Sequence, residues 1–250
     1  MTHEVPLPTI GRRLVEAAAG QGLAIRLMGG VAIWLHATDD ARATLGRDYP
    51  DLDLVAHEPQ SRQVRSFLET QGYEGEKLFN AIHGAQRLLY REPVADYQID
   101  IFLDQFNMSH KLDLGKRLET EPVTLPGAEL LLTKLQIAEI NRKDVGDVLM
   151  LLWGHRLGES DGPGELNIEH VAKVCAADWG LYTTLSDNLI RARELAPELL
   201  GDRLESSGAV AQIDTVLARL DQQPKSLSWK ARSRVGRRVR WYEVPEEVNR

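Results

Sequence analysis

Two aspartates one residue apart, in the stretch Asp51-Leu52-Asp53-Leu54-Val55, are the first candidates for chemistry. Side chains alternate along a strand, so both carboxylates would share one face while Leu52 and Leu54 take the other. Carboxylates that close raise each other's pKa unless a cation lies between them. Upstream, the apolar strand-like run 23–28 ends in Gly29-Gly30, and a short apolar segment of helical character follows over 31–36. A glycine turn that opens a helix lets backbone N–H groups come close to an anion. The combination points to a divalent metal holding a polyphosphate.

Gly-Gly after a strand, with Asp-x-Asp on the next, resembles the nucleotidyltransferases of the DNA polymerase beta type. The resemblance implies a third carboxylate on a later strand. In YQIDIFL, residues 97–103, Asp100 falls on the face opposite to Ile99, Ile101 and Leu103, where Asp51 and Asp53 could meet it. Arg47 lies four residues before Asp51, where related enzymes often place a nucleotide-contacting arginine; its alternative is a solvated loop position. Many relatives carry Gly-Ser, whose hydroxyl touches phosphate. Here Gly30 offers only backbone, as in the aminoglycoside nucleotidyltransferases, and Tyr49 and Pro50 stand where small hydroxyl residues are common.

A second group of residues lies further on. On a helix, Lys134 has Leu130, Leu131, Ile137 and Ala138 as its i±3 and i±4 neighbours. A lysine on such a stripe either snorkels to water or reaches an anion. Residues 125–140, LPGAELLLTKLQIAEI, are similar to a motif of a toxin-type branch of these transferases, the abortive-infection type II and MenA-like group, with Pro126, Glu129 and Lys134 in the matching places. There the lysine contacts the nucleoside triphosphate. Lys143-Asp144-Val145-Gly146-Asp147 resembles the branch's next motif. Asp144 also suits a helix N-terminus, whose dipole favours an acid. Asp147 lies deeper in the helix and is assigned to orienting Lys134 or the acceptor.

The elements that must position these groups follow from periodicity. Helices are expected over 8–20 and 58–71, and strands over 85–90 and 96–102, with a short strand near 121–125; residues 38–50 read as a polar loop. Beyond Pro126 the pattern is helical, over 126–141, 144–153, 167–176, 179–196, 208–220 and 225–238, with a flexible connector at 158–165. The fold class expected is α+β. A small mixed sheet with flanking helices, the nucleotidyltransferase core, spans 1–125, and an all-helical domain spans 126–250.

Of 250 residues, 43 % are apolar and 27 % charged, which suits a globular chain with a sizeable core. The formal net charge of −7 excludes a uniformly basic nucleic-acid binder. The single cysteine, Cys175, excludes an intramolecular disulfide and a zinc cluster and fits a reducing cytoplasm. No apolar run has the length of a membrane span, and the N-terminus lacks a signal-peptide core. Residues 225–240 carry seven lysines and arginines and no acid, close to Trp229 and Trp241. They read either as a solvated helix face or as an RNA-binding patch.

The resemblance therefore implies an enzyme in which Asp51, Asp53 and Asp100 hold Mg2+ or Mn2+. Gly29, Gly30, Arg47 and Lys134 would contact the NTP, and Asp100 would take the acceptor proton. The catalytic set would be Asp51, Asp53, Asp100, Lys134 and Asp147. The toxin-type motifs imply tRNA or protein as acceptor and an antitoxin as partner. The Gly-Gly form and the acidity favour an aminoglycoside-type small molecule. A catalytically inactive relative that only binds nucleotide or a partner is the remaining reading.

Overall fold

Five strands make one sheet in the order β1-β2-β5-β4-β3: β1 Ile25–Met28, β2 Asp51–Ala56, β3 Glu74–Gly75, β4 Arg87–Arg91 and β5 Gln98–Leu103. The computed structural model describes residues 6–244. β2 and β5 run parallel at the centre, and the other pairings are antiparallel, so the sheet is mixed. The two central strands share one burial pattern: exposure alternates over the first four residues and ceases after them. Each is therefore half-open at its beginning and sealed at its end.

One face of this sheet carries α1, Leu7–Ala19, whose apolar side buries Leu14, Val15 and Ala18. The helix comes very close at Gly11: a β-carbon there would stand 2.9 Å from Leu27 Cδ2 and 3.0 Å from Leu52 Cδ2. Leu52 thus points at α1, which leaves Asp51 and Asp53 on the other face. α2, Gly29–His36, follows β1 without a loop, and α4, Ser61–Thr70, buries Val64, Phe67 and Leu68. The short strand expected near 121–125 is reduced to one bridge, Thr124 with Leu27. Two backbone hydrogen bonds tie it there, Leu27 N to Val123 O and Leu125 N to Leu27 O.

The chain divides into two units. The first holds the sheet and takes residues up to 35, 47–106 and 112–126; the second takes 36–46, 107–111 and 127 onward. A change at 126/127 is therefore present, and two short segments of the N-terminal half also belong to the second unit. One of them is α3, Asp39–Leu45, in a stretch that sequence alone reads as loop; the Thr38 side chain caps it by accepting from Ala41 N. α5, Lys77–His83, in the sheet unit, was also unanticipated.

The second unit is mainly helical: α6 Gly127–Leu135, α7 Arg142–Gly154, α8 Ile168–Ala177, α9 Trp179–Leu200, α10 Leu204–Ser207, α11 Ala209–Gln222 and α12 Leu227–Val235. It is not all-helical, because Arg156–Gly158 pairs in parallel with Glu165–Asn167. α6 is also shorter than the expected 126–141. Asn188 on α9 donates to the carbonyls of Leu135 and Ile137 at 2.7 and 2.8 Å, and this satisfies the end of the helix at Leu135. Among the described residues no helix is long and apolar enough to cross a membrane.

Candidate functional site

Register decides what the carboxylates meet. Across the parallel β2–β5 pair, Asp53 stands directly opposite Asp100, and Asp51 opposite Gln98. On the outer sides of the same row, Met28 faces Asp53 and Leu89 faces Asp100. All three aspartates are half-buried and share one face of the sheet.

Sequence reasoning missed a fourth member of this row. Arg87 on β4 lies two residues from Leu89 and so projects to the same face. Its Nε donates to Asp100 Oδ1 at 2.7 Å, and its Nη2 donates to Oδ2, a two-pronged pair. The guanidinium also lies 4.7 Å from the Phe102 ring centre. Burial opposes the charge on Arg87, but its hydrogen bonds to Asp100 and the charges of Asp100 and Asp53 together raise its pKa above the usual arginine value. The visible signal was an arginine inside the apolar strand RLLYR; its partner became legible only with the register.

Gly29 is required twice over. Its φ of +67° lies in the left-handed region, and a β-carbon on it would stand 2.9 Å from Asp53 Cγ and closer still to Oδ2. The Asp53 carboxylate therefore rests against the first residue of α2, where the helix dipole favours negative charge. Gly30 is required by space alone. A β-carbon there would come within 2.7 Å of Tyr49 Cε1 and 2.8 Å of Arg47 Nη2. Arg47 lies over the Tyr49 ring, 4.5 Å from its centre, and Nη1 donates to Asp48 O at 3.3 Å.

Carboxylate oxygens are the donors that a hard divalent cation takes, so Asp51 and Asp53 suit Mg2+ chemically. Asp100 differs from the expectation, because Arg87 holds both its oxygens. Among the described residues no three His, Cys, Asp or Glu side chains are grouped to hold a metal ion. Arg87 is thus bound to the third carboxylate of the expected set.

Lys134 and Asp147 belong to the other unit. Lys134 Nζ lies 2.7 Å from Asp144 Oδ1 and 2.9 Å from Asp147 Oδ2, with 12 % of the lysine side chain and 1 % of Asp147 exposed. Burial works against the ammonium, yet the charges of Asp147 and Asp144 raise its pKa above the usual lysine value. Asn141 caps α7 by accepting from Asp144 N at 3.0 Å and donates to Asp144 Oδ2 at 2.7 Å. The anion that Lys134 reaches is therefore a pair of carboxylates on the next helix, where the sequence had assigned it to a triphosphate. Glu129, 2 % exposed, lies with Oε1 2.8 Å from His170 Nε2.

The basic C-terminal stretch is partly consumed internally. Arg232 donates to the carbonyls of Gly236 and Val239, both at 2.8 Å, and lies over Trp179. Arg237 pairs with Asp187 at 2.7 Å and lies over Trp241. Lys225 donates to backbone carbonyls, including Gln223 O at 2.9 Å.

No protein-family model matches the chain, and no curated protein sequence matches it. A similar solved structure is that of an antigenic nucleotidyltransferase-like protein from Paracoccidioides brasiliensis. The two share 14 % identity over 89 % of this chain and 95 % of that one, with a TM-score of 0.44.

Proposed function

We propose that the sheet unit is the catalytic core of a nucleotidyltransferase that moves a nucleoside monophosphate from an NTP to an acceptor hydroxyl. The observation that carries this reading is the row Gly29–Asp53–Asp100: a carboxylate against a helix N-terminus, paired in register with a second carboxylate. In this reading Asp51 and Asp53 hold Mg2+, for which Mn2+ can substitute. When bound, the cation neutralises charge on the phosphates and on the transition state. Backbone N–H groups after Gly29 and Gly30 receive phosphate oxygens. Asp100 takes the acceptor's hydroxyl proton at a lone pair that Arg87 leaves open, and the two hydrogen bonds from Arg87 fix the carboxylate's orientation. The acceptor oxygen bonds to the α-phosphorus, and the bond to pyrophosphate breaks. Lys134, Asp144 and Asp147 act here as a fastener between α6 and α7.

The acceptor in the toxin-like reading is tRNA or protein, with an antitoxin as partner. A cationic small molecule of the aminoglycoside kind is the second reading. It is favoured by the net charge of −7 and by the internal use of Arg232 and Arg237.

The test is incubation with Mg2+ and each α-32P-labelled NTP in the presence of total tRNA, cell protein or aminoglycosides. Label on one acceptor, lost in Asp53→Asn and in Asp51→Asn, is expected. A fully active Asp53→Asn protein would overturn the assignment.

A further inference from the structure

A cavity of about 520 Å³ opens in the sheet unit beside the Gly-Gly turn, and none of the chemistry described so far uses it. Its size is ordinary for a small-molecule site. Residues 47–50 and 95–97 form much of its wall. These segments run directly into β2 and β5, and because those strands are parallel, their beginnings lie together. Pro50 in the wall is the chain neighbour of Asp51. The cavity is therefore adjacent to the open, carboxylate-bearing ends of the two central strands.

The remaining surfaces are mostly flat. Trp34, Tyr49, Tyr97 and the prolines Pro8 and Pro50 line the cavity. Tyr97 is fixed by a 3.0 Å hydrogen bond between its hydroxyl and that of Tyr73, and Tyr49 lies under Arg47. Rings held in this way need no ordering on binding, and Trp34 and Tyr49 keep part of their surface exposed. Asp96 at the cavity is paired with Arg91, and the Arg47 guanidinium lies between the cavity and Gly30. A neutral planar ring whose other end is anionic meets stacking faces in the cavity and a guanidinium on the way to the Gly-Gly turn.

We infer that this cavity receives the nucleoside part of the nucleotide, its base stacked among Trp34, Tyr49 and Tyr97, with the phosphates directed past Arg47 to Gly29-Gly30. This rests on the transferase reading and adds to it the place of the base. Asp48 at the cavity supplies an acceptor for amino or ribose hydroxyl hydrogens.

Two variants of the full chain test it: Tyr49→Ala removes a stacking face, and Ala95→Trp fills the cavity from an exposed position in its wall. Equilibrium dialysis would measure the four labelled NTPs, the four nucleosides without metal, and tripolyphosphate with Mg2+. Loss of one stacked ring should weaken nucleoside and NTP binding about tenfold, and Ala95→Trp at least as much, with tripolyphosphate binding unchanged. Because Ala95 is exposed, that variant keeps the test decisive if Tyr49→Ala fails to fold. NTP binding unchanged in both variants overturns the cavity assignment and leaves the transferase reading standing. An aminoglycoside that binds wild type and is excluded by Ala95→Trp, with nucleosides unaffected, also overturns it. Absence of any NTP binding to wild-type protein removes the transferase reading and the cavity assignment with it.

Discussion

Two acidic groups dominate this molecule, and they are built on opposite principles. Lys134, Asp144 and Asp147 are buried, and the one cation is bound by both carboxylates. Asp51, Asp53 and Asp100 are half-buried on an open strand face, with Asp53 opposite Asp100 and the arginine bound to Asp100. The first group resembles the interior of a folded helix pair, in which charge is tolerated because it is answered. The second brings two carboxylates into register on an open strand face and sets a guanidinium against one of them. Acidic motifs that look alike in a sequence thus differ in burial and in what the fold places against them.

The largest expected effect tests the fastener. Lys134→Met leaves Asp144 and Asp147 without their cation and should destabilise the protein by about 3–5 kcal/mol in chemical denaturation. Adding Asp144→Asn and Asp147→Asn should recover a large part of that loss. A Lys134→Met protein of wild-type stability but no transferase activity would return the lysine to the nucleotide and erase the contrast. Asp53→Asn should do the reverse, abolishing transfer while leaving the unfolding midpoint much nearer to wild type than Lys134→Met does.

Next comes Gly29→Ala. It forces a side chain into left-handed backbone and against the Asp53 carboxylate, so a loss of about 1–3 kcal/mol is expected, together with loss of activity. A smaller effect sharpens the view of the helical unit. The pKa of His155 is held below the ordinary histidine value, first by burial, against which the hydrogen bond to the Leu151 carbonyl acts. Its Nδ1 donates to that carbonyl at 2.8 Å, so its Nε2 accepts from His36 Nδ1 at 3.1 Å. The unfolded chain binds this proton more readily than the folded one. Stability should therefore fall as pH drops below about 6.5, and His155→Gln should flatten the decline between pH 7.5 and 5.5. The least effect belongs to Arg237→Ala. Its pair with Asp187 is more than a third exposed on both sides, and its removal should cost under about 1 kcal/mol, screened further by salt.

Much of the sheet was legible because its strands alternate. The resemblance called for a third carboxylate and period two put Asp100 on the face of Asp51 and Asp53; the structure places the three on one face. What stayed hidden was the register, and with it Arg87. No local pattern tells an arginine in β4 that its partner lies thirteen residues on. α3 was invisible because DDARATL is short and polar and depends on the Thr38 cap. α5 was invisible because it buries none of its residues; Asn80 instead bonds both backbone groups of Leu89 on β4. For Lys134, the apolar stripe and the choice between water and an anion were readable. Asp147 beside Lys134 was one of two readings of that acid; that Asp144 joins it on the ammonium was not legible, because α6 ends at Leu135, where Asn188 binds it from more than fifty residues away in sequence. The open acidic site was read from its own residues, whereas the closed one depended on distant contacts.

The packing of Tyr49 over Gly30 has a consequence for descent. The α-carbon at position 30 has no room for a substituent while an aromatic ring occupies position 49. Volume at these two positions is then a shared quantity, and substitutions should arrive in pairs. Homologous chains that enlarge position 30, to serine for instance, should shrink position 49. Chains that keep a ring at 49 should keep glycine at 30, so that the pair co-varies while each position alone looks variable.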